Sequence, residues 1–153
     1  MSSFDPLLII VMKEAAKAYK NGDIPVGAVI FKDNRIISKA YNKAHKYRNA
    51  TFHAEMLAIS KACKKLNQHR LDGYHLLTTL EPCSMCGGAI VLAHIETVHI
   101  LARDPKAGAC GSVVSIIPNS RLNHRPVVQW HEDYSEYQAL LRQFFRQLRK
   151  AKK

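Results

Sequence analysis

The sequence lacks the long apolar segments of exported and membrane-spanning proteins. Near its beginning the apolar run covers only residues 7–12, between Asp5 and the Lys13-Glu14 pair. A signal peptide needs a basic start, a longer apolar stretch and a small-residue cleavage site, and a membrane span needs about 20 apolar residues. We therefore expect a cytoplasmic protein without a membrane partner.

Internal repeats, low-complexity tracts and Gly/Ser-rich or Pro-rich linkers are missing too, so nothing marks an internal domain boundary. The 153 residues are a usual length for one domain. A chain of this size buries about 68–70% of its unfolded surface, which is enough for a core without disulfides. The apolar share of 47% and the charged share of 23% exclude a disordered or collagen-like chain. We expect a single domain over residues 1–153.

Acidic residues are scarce, because 12 Asp and Glu stand against 23 Lys and Arg, for a net charge of +11. Such a surplus indicates an anionic partner, and nucleic acid fits better than a membrane surface or an acidic metabolite. A basic surface kept for solubility is the alternative interpretation.

Basic residues concentrate in two places. Near the end of the chain they follow a helical spacing beside the apolar pair Phe144-Phe145, and the sequence there contains no acid: Arg142, Arg146, Arg149, Lys150, Lys152 and Lys153. A second cluster precedes residue 53: Lys43, His45, Lys46 and Arg48. A charge run is usually a solvated face, but aromatic rings beside cations are typical of surfaces that bind single-stranded RNA.

Cysteine occurs only at positions 63, 83, 86 and 110. In a reducing cytosol the close pair Cys83 and Cys86 indicates a metal site before a disulfide. Cys63 is interpreted as a small core residue, and Cys110 as a packed loop residue.

Hydrophobic periodicity and turn residues predict strands that alternate with helices. The predicted strands cover residues 26–31, 35–41, 74–80, 96–101 and 127–130, with the Asp33-Asn34 turn between the first two. The predicted helices cover 6–20, with Asp5 as N-cap, and then 53–66, 83–94 and 135–153. The second helix is expected to bury one stripe, formed by Met56, Ile59, Cys63 and Leu66. This order indicates an α/β fold with helices on both faces of a sheet.

The residues with the clearest chemistry are His53 and Glu55, followed after 26 residues by Pro82, Cys83 and Cys86. Two cysteines three positions apart at a helix start place both sulfurs on one face, where the helix dipole favours thiolate. One imidazole and two thiolates suit a tetrahedral zinc with an open fourth position, as in catalytic sites. Glu55, near the other helix start, can turn toward that position and carry protons.

This order of ligands and acid resembles the signature of the zinc deaminases. Over nearly its whole length, the chain further resembles the bacterial tRNA-specific adenosine deaminases. The residues that carry this second resemblance are Asn42 and the stretches 23–29 (DIPVGAV), 80–83 (LEPC), 102–108 (ARDPKAG), 111–112 (GS), 123–125 (NHR) and 144–145 (FF).

The resemblance implies a cytidine deaminase-like fold: a three-layer α/β/α arrangement around a five-stranded mixed sheet. It implies a homodimer whose active sites lie near the subunit interface, with one zinc ion per subunit. The implied zinc ligands are His53, Cys83 and Cys86, with Glu55 as proton shuttle. The residues that would line the base pocket are Val26 and Asn42. Those that would contact the anticodon loop are Asp104, Lys106, Asn123 and Phe145.

The expected function is hydrolytic deamination of adenosine to inosine at the wobble position of a tRNA anticodon loop, by zinc-activated water with Glu55 as proton shuttle. The expected partner is the anticodon stem-loop, and no DNA partner is expected. Two alternatives remain at this point. One is a zinc deaminase of a free base or nucleoside, such as guanine or cytidine, and the other is a zinc-stabilised RNA-binding module without turnover.

Overall fold

The computed structural model describes residues 4–152, which form one mixed sheet with helices on both faces. The strands are β1 (Gly27–Lys32), β2 (Arg35–Tyr41), β3 (His75–Leu80), β4 (Thr97–Ala102) and β5 (Val127–Trp130), in the order β2-β1-β3-β4-β5. β1 runs antiparallel to β2 and β3, whereas β3, β4 and β5 are parallel. The predicted five-stranded mixed sheet is confirmed, and the predicted strand ends differ from these by at most one residue.

The turn between β1 and β2 is the predicted one. Asp33 and Asn34 have φ angles of 50° and 63°, in the left-handed region. Two such residues between antiparallel strands are typical of the two-residue hairpin turn, which Asn and Asp tolerate well. This hairpin leaves β2 at the edge of the sheet.

The helices are α1 (Asp5–Lys20), α2 (Ala54–Leu66), α3 (Ser84–Leu92) and α4 (Ser135–Ala151). The predicted N-cap at Asp5 is wrong, because Phe4 caps α1 and Asp5 lies in the first turn, where its charge complements the helix dipole. α3 ends two residues earlier than predicted, since His94 has a φ of 58°. The predicted last residue of α4, Lys153, lies outside the described residues. Within residues 4–152, no helix combines the length and apolar character needed to cross a bilayer.

Each face of the sheet carries its own core. α2 and α3 cover one face, where Ala28 and Ile30 of β1 pack with Ile90 of α3. α1 and α4 cover the other, where Val29 of β1 packs with Tyr137 of α4. Strands that are buried on both faces explain the near-continuous apolar runs in the sequence. The three-layer arrangement is therefore as predicted.

The buried stripe of α2 is not the predicted one. Ala54, Ala58 and Ala62 are fully buried, whereas the larger residues of the predicted stripe are only half-buried: Met56, Ile59, Cys63 and Leu66. Small side chains let the helix lie close to the sheet, and the Ser38 hydroxyl donates to the Ala58 carbonyl at 2.7 Å. The periodic pattern identified apolar residues on α2. It did not indicate that α2 lies so close to β1 and β2 that only small side chains fit between them.

Candidate active site

Two helix starts bring the three predicted ligands together. His53 is the N-cap of α2, Cys83 is the N-cap of α3, and Cys86 lies in the first turn of α3. The His53 Nδ1 lies 3.5 Å from each of the two sulfurs, and all ligand atoms lie within 4.8 Å of one another. A tetrahedral zinc with bonds of about 2.3 Å to sulfur and about 2.0 Å to nitrogen separates these atoms by about 3.5 Å. The three residues fit one zinc ion per subunit.

The two thiols differ in how easily they ionise. A hydrogen bond from Cys86 lowers the pKa of Cys83 to about 4, against the opposing effect of burial and with a further hydrogen bond from His53. The pKa of Cys86 is raised, because its thiol is the donor in that bond and is buried. Metal ligation requires thiolates, so zinc binding displaces the proton that the two sulfurs share.

Glu55 is a buried carboxyl group beside these ligands. It is 4% exposed, and its Oε1 has no hydrogen-bond partner. Burial raises its pKa to about 7, although the nearby His53 lowers it. An unpartnered buried carboxylate oxygen is costly, and a pKa near neutrality suits a group that takes up and releases protons.

A cavity of about 140 Å³ lies in front of Glu55, His53 and Cys83. Val26 and Asn42 also line it, as does Asp104. Val26 and Asn42 were expected to line the base pocket and Asp104 to contact the anticodon loop, and all three lie around the same cavity as Glu55. Their roles toward a substrate stay predictions.

Asn42 also has a structural role, at the start of α2. Its Oδ1 accepts a hydrogen bond of 2.7 Å from the backbone N–H of Ala54, at the first residue of α2. Helix N-termini have unsatisfied N–H groups, so this bond caps α2 from outside the helix. One side chain thereby holds the helix that carries His53 and also lines the cavity.

A larger groove adjoins the cavity, between α4 and the loop of residues 103–107. Its volume is about 550 Å³, and it shares Ile24, Leu80, Asp104 and Ala107 with the cavity. We call it the basic groove, because five cationic side chains line it: Arg103, Lys106, Arg142, Arg146 and Arg149.

Two predicted RNA contacts meet in the basic groove. The Nζ of Lys106 lies 5.3 Å from the centre of the Phe145 ring, and both residues line the groove. Asn123 is not brought to them: it is exposed on the segment before β5 and lines neither the groove nor the cavity. Its contact with the anticodon loop stays a prediction.

Glu81 is a site residue for which the sequence predicted no role. It is 2% exposed, and it accepts hydrogen bonds from the backbone N–H groups of Asp104 (3.0 Å), Cys110 (2.8 Å) and Ser112 (3.2 Å), and from the Ser112 hydroxyl. Burial alone would raise the pKa of Glu81, but these bonds hold it below its usual range. Glu81 thus anchors the loop that lines the basic groove. An acid between an apolar strand and Pro82 was the one sequence signal for it.

Cys110 is a packed thiol, in agreement with its interpretation from the sequence. It is buried, and burial raises its pKa to about 12. A protonated buried thiol is a poor nucleophile.

Comparisons with known proteins agree with the fold and with the presence of a zinc site. The family model of the cytidine and deoxycytidylate deaminase zinc-binding region matches residues 2–102. The tRNA-specific adenosine deaminase of Aquifex aeolicus is 46% identical over 143 residues, which cover 93% of each chain. The chain therefore belongs to the cytidine and deoxycytidylate deaminase family, and within it to the tRNA-specific adenosine deaminases.

Two solved structures are similar to this chain to different extents. One, from a study of A-to-I editing by tRNA:A34 deaminases at the wobble position of transfer RNA, has a TM-score of 0.83 and 36% identity, and the match covers 88% of this chain and 97% of that one. The guanine deaminase of Bacillus subtilis has a TM-score of 0.62 and 38% identity, over 67% of this chain and 66% of its own.

Proposed function

We propose that this protein deaminates adenosine to inosine at the wobble position of a tRNA anticodon loop. The observation that carries the proposal is the continuity between the basic groove and the cavity in front of Glu55, which share Asp104 and Ala107. A substrate that is part of a polyanion needs such a path, because its base must enter the cavity while its phosphates remain outside.

Zinc, when bound by His53, Cys83 and Cys86, supplies a Lewis acid that lowers the pKa of water. Glu55 accepts a proton from the attacking water and delivers it to N1 of the adenine. It then takes the second proton of the water from the new C6 hydroxyl and passes it to the amino group, so that ammonia leaves as the bond from C6 to nitrogen breaks and the oxygen becomes the C6 carbonyl. Its unpartnered Oε1 and its pKa of about 7 support both roles.

Asn42 and Val26 hold the base for this step. The Oδ1 of Asn42 is already engaged by Ala54, so its amide N–H groups are the part that can donate to the base. Val26 provides an apolar wall on the same cavity. Hydrogen bonding on one edge and apolar contact on the ring faces are how flipped bases are bound.

The basic groove holds the RNA around the flipped base. Its arginines and Lys106 are suited to phosphates, and the Phe145 ring offers a surface on which an unpaired base can stack. A loop base is already unpaired, so its movement into the cavity is less costly than it would be in a duplex.

Deamination of a free base or nucleoside is the second candidate, since a guanine deaminase shares much of the fold. Guanine and cytidine carry no phosphate, so they would make no use of the basic groove. Binding of RNA through several phosphates weakens steeply as salt rises, whereas binding of a neutral small molecule responds little. The salt dependence of KM distinguishes the two candidates.

The test is inosine formation in an anticodon stem-loop with adenosine at the wobble position. We expect product with the wild type and with Glu136→Gln, a control acid exposed on α4. Glu55→Gln should keep its zinc and lose several orders of magnitude in rate, because the proton shuttle belongs to the transition state.

Three results would contradict the proposal. Full activity of Glu55→Gln would remove the role of Glu55. Deamination of guanine or cytidine, with none of the stem-loop, would favour the second candidate. Tight binding of the stem-loop by a zinc-loaded protein that deaminates none of these compounds would favour an RNA-binding module.

We further propose that residues 1–153 form one deaminase domain that acts as a homodimer in the cytoplasm, without DNA or membrane partners. Large apolar side chains support the dimer: Leu92 on α3 is 78% exposed, and Val113 and Val114 are 52% and 45% exposed. The two valines belong to the loop that packs on Gly87 of α3 through Ile116. Light scattering should give the mass of two chains, and a fully active monomer would contradict the dimer.

A further inference from the structure

Four lysines lie close together along the edge strand β2, and two of them contact the ring of Tyr41 at the end of this strand. The Nζ atoms of Lys43 and Lys17 lie 4.8 Å and 6.0 Å from the centre of the Tyr41 ring. From α2, the Nζ of Lys61 reaches the edge of β2 and donates to the backbone carbonyl of Lys39 at 3.0 Å. We call Lys17, Lys39, Lys43 and Lys61 the lysine cluster.

The charge of the lysine cluster is mostly unpaired. In the described chain its salt bridges go to Glu14 alone, which lies 2.8 Å from Lys17 and 4.0 Å from Lys39. The Glu14 side chain is 4% exposed, whereas those of Lys17 and Lys39 are 50% and 54% exposed. The single carboxylate of Glu14 therefore compensates one of the four ammonium charges, and a net charge of three remains uncompensated on this surface.

The positive charges of the lysine cluster repel one another in the folded protein. Partial burial lowers the pKa of Lys61, and the charges of Lys43, Lys17 and Lys39 lower it further, against the attraction of Glu14. Mutual repulsion of this kind destabilises the folded state. An anion bound from outside removes it, so the surface is suited to an anionic partner.

The lysine cluster is connected to the rim of the cavity. Tyr41 directly precedes Asn42, which lines the cavity, and the backbone N–H of Lys43 donates to the Phe52 carbonyl at 3.0 Å, next to a zinc ligand. The following loop is also held there: the N–H of His45 donates to Asp23 at 3.0 Å. The cluster thus adjoins the cavity through segments other than those of the basic groove.

We propose that the lysine cluster binds the phosphate backbone of the substrate RNA in the stem that flanks the anticodon loop. This inference rests on the proposed function, in which the loop itself occupies the cavity and the basic groove. A strand whose base enters the cavity continues on either side into the stem, and the cluster offers ammonium groups at one such exit. Lysines that face phosphates supply affinity and register without reading sequence.

The test compares two double variants with the same loss of charge. Lys39→Ala/Lys61→Ala removes half of the lysine cluster, and Lys13→Ala/Lys64→Ala removes two exposed lysines elsewhere on α1 and α2. Both are made in the Glu55→Gln protein so that the RNA is not converted. Kd for the stem-loop is measured between 50 and 200 mM salt, roughly the range over which phosphate contacts dominate. Zinc content and thermal unfolding confirm that each variant is folded.

We expect Kd at low salt to rise about tenfold in Lys39→Ala/Lys61→Ala, and the slope of log Kd against log salt to fall by about 1–2. The control pair should change Kd by less than about twofold. A linear oligonucleotide with the loop sequence alone should bind both variants equally, because it has no stem.

An unchanged slope in Lys39→Ala/Lys61→Ala overturns the inference, as does an equal loss in the control pair. An equal effect on the linear oligonucleotide also overturns it, because the cluster would then bind the loop. Inosine formation by the wild type is measured in parallel. Its absence overturns the proposed function, whereas inosine formation together with an unchanged slope overturns the lysine cluster alone.

Discussion

The carboxylate of Glu81 occupies the space that a side chain at position 108 would need. A Cβ added to Gly108 would overlap with the Cδ and both oxygens of Glu81. The backbone N–H groups of Asp104 and Cys110, on either side of Gly108, donate to the same carboxylate. A glycine at this position lets the loop close around Glu81, and the loop in turn forms one wall of the basic groove.

Gly108→Ala should therefore lower kcat/KM for inosine formation by about 100-fold, because a shift of about 1 Å in positioning groups has effects of that size. Zinc content should not change, since none of the ligands belongs to the loop. Gly88→Ala is the matched control: a Cβ there meets nothing within 4 Å, and alanine stabilises a helix by about 1 kcal/mol over glycine. Equal activity of the two variants would show that Glu81 does not position the loop.

Substitutions of Asn42 separate its capping from its contact with the base. Asn42→Ala leaves the Ala54 N–H without its partner. We expect a loss of about 1 kcal/mol in the free energy of unfolding and about tenfold in zinc affinity. Asn42→Asp keeps the acceptor but removes the donor, so it should restore stability and zinc affinity and leave inosine formation impaired. Zinc titration and kinetics check this, and a fully active Asn42→Asp protein would exclude donation to the base.

Phe145→Leu should weaken binding of the stem-loop by about 1–3 kcal/mol, the usual contribution of one base stacked on an aromatic ring. Leucine keeps an apolar contact but has no ring face for a base or for the Lys106 ammonium. Leu148→Ala, on an exposed position of the same helix, is the control and should leave Kd unchanged. Wild-type affinity in Phe145→Leu would rule out stacking on this ring.

His99 makes the folded protein sensitive to acid. Burial lowers its pKa from 6.5 to about 4, and the neighbouring His131 and His75 lower it as well. As the pH falls, His99 therefore binds a proton near pH 6.5 in the unfolded chain but only near pH 4 in the folded chain. The free energy of unfolding must fall as the pH drops through this window.

At pH 5 this effect should amount to about 1–2 kcal/mol, reduced from its full value because His99 is partly exposed. His99→Gln keeps a polar partner for His131, which lies 3.0 Å away, and removes the titration. Urea unfolding at pH 7.5 and pH 5 should show a smaller loss for His99→Gln than for the wild type. Equal losses would mean that other groups cause the sensitivity.

Local patterns were sufficient to predict the helices and strands and the pair of cysteine ligands. The Asp33-Asn34 turn and the alternation of strands with helices are read from neighbouring residues. The spacing of Cys83 and Cys86 likewise follows from the geometry of a single helix turn. His53 could be joined to them only because the pattern of ligands resembles that of the zinc deaminases.

Contacts between distant segments could not be predicted. The hydrogen bonds that Glu81 accepts from residues 104–112, and the one that Asn42 accepts from α2, depend on where the chain returns in space. The prediction of which face of α2 is buried was wrong for a related reason: apolar periodicity does not distinguish Ala58 from a bulkier neighbour such as Ile59. Side-chain volume matters only when the distance to the sheet is known.

The alanine face of α2 makes the zinc ligand His53 dependent on side chains far from the metal. A helix rises about 1.5 Å per residue, so Ala58 and Ala62 lie about 8 Å and about 14 Å from His53 along the axis. Because an α-helix is stiff, a larger side chain at the far end of α2 would tilt the whole helix and displace the imidazole of His53 at its start. The size of one core residue on α2 can therefore change the position of His53 relative to the two cysteines, without any change to the ligands themselves.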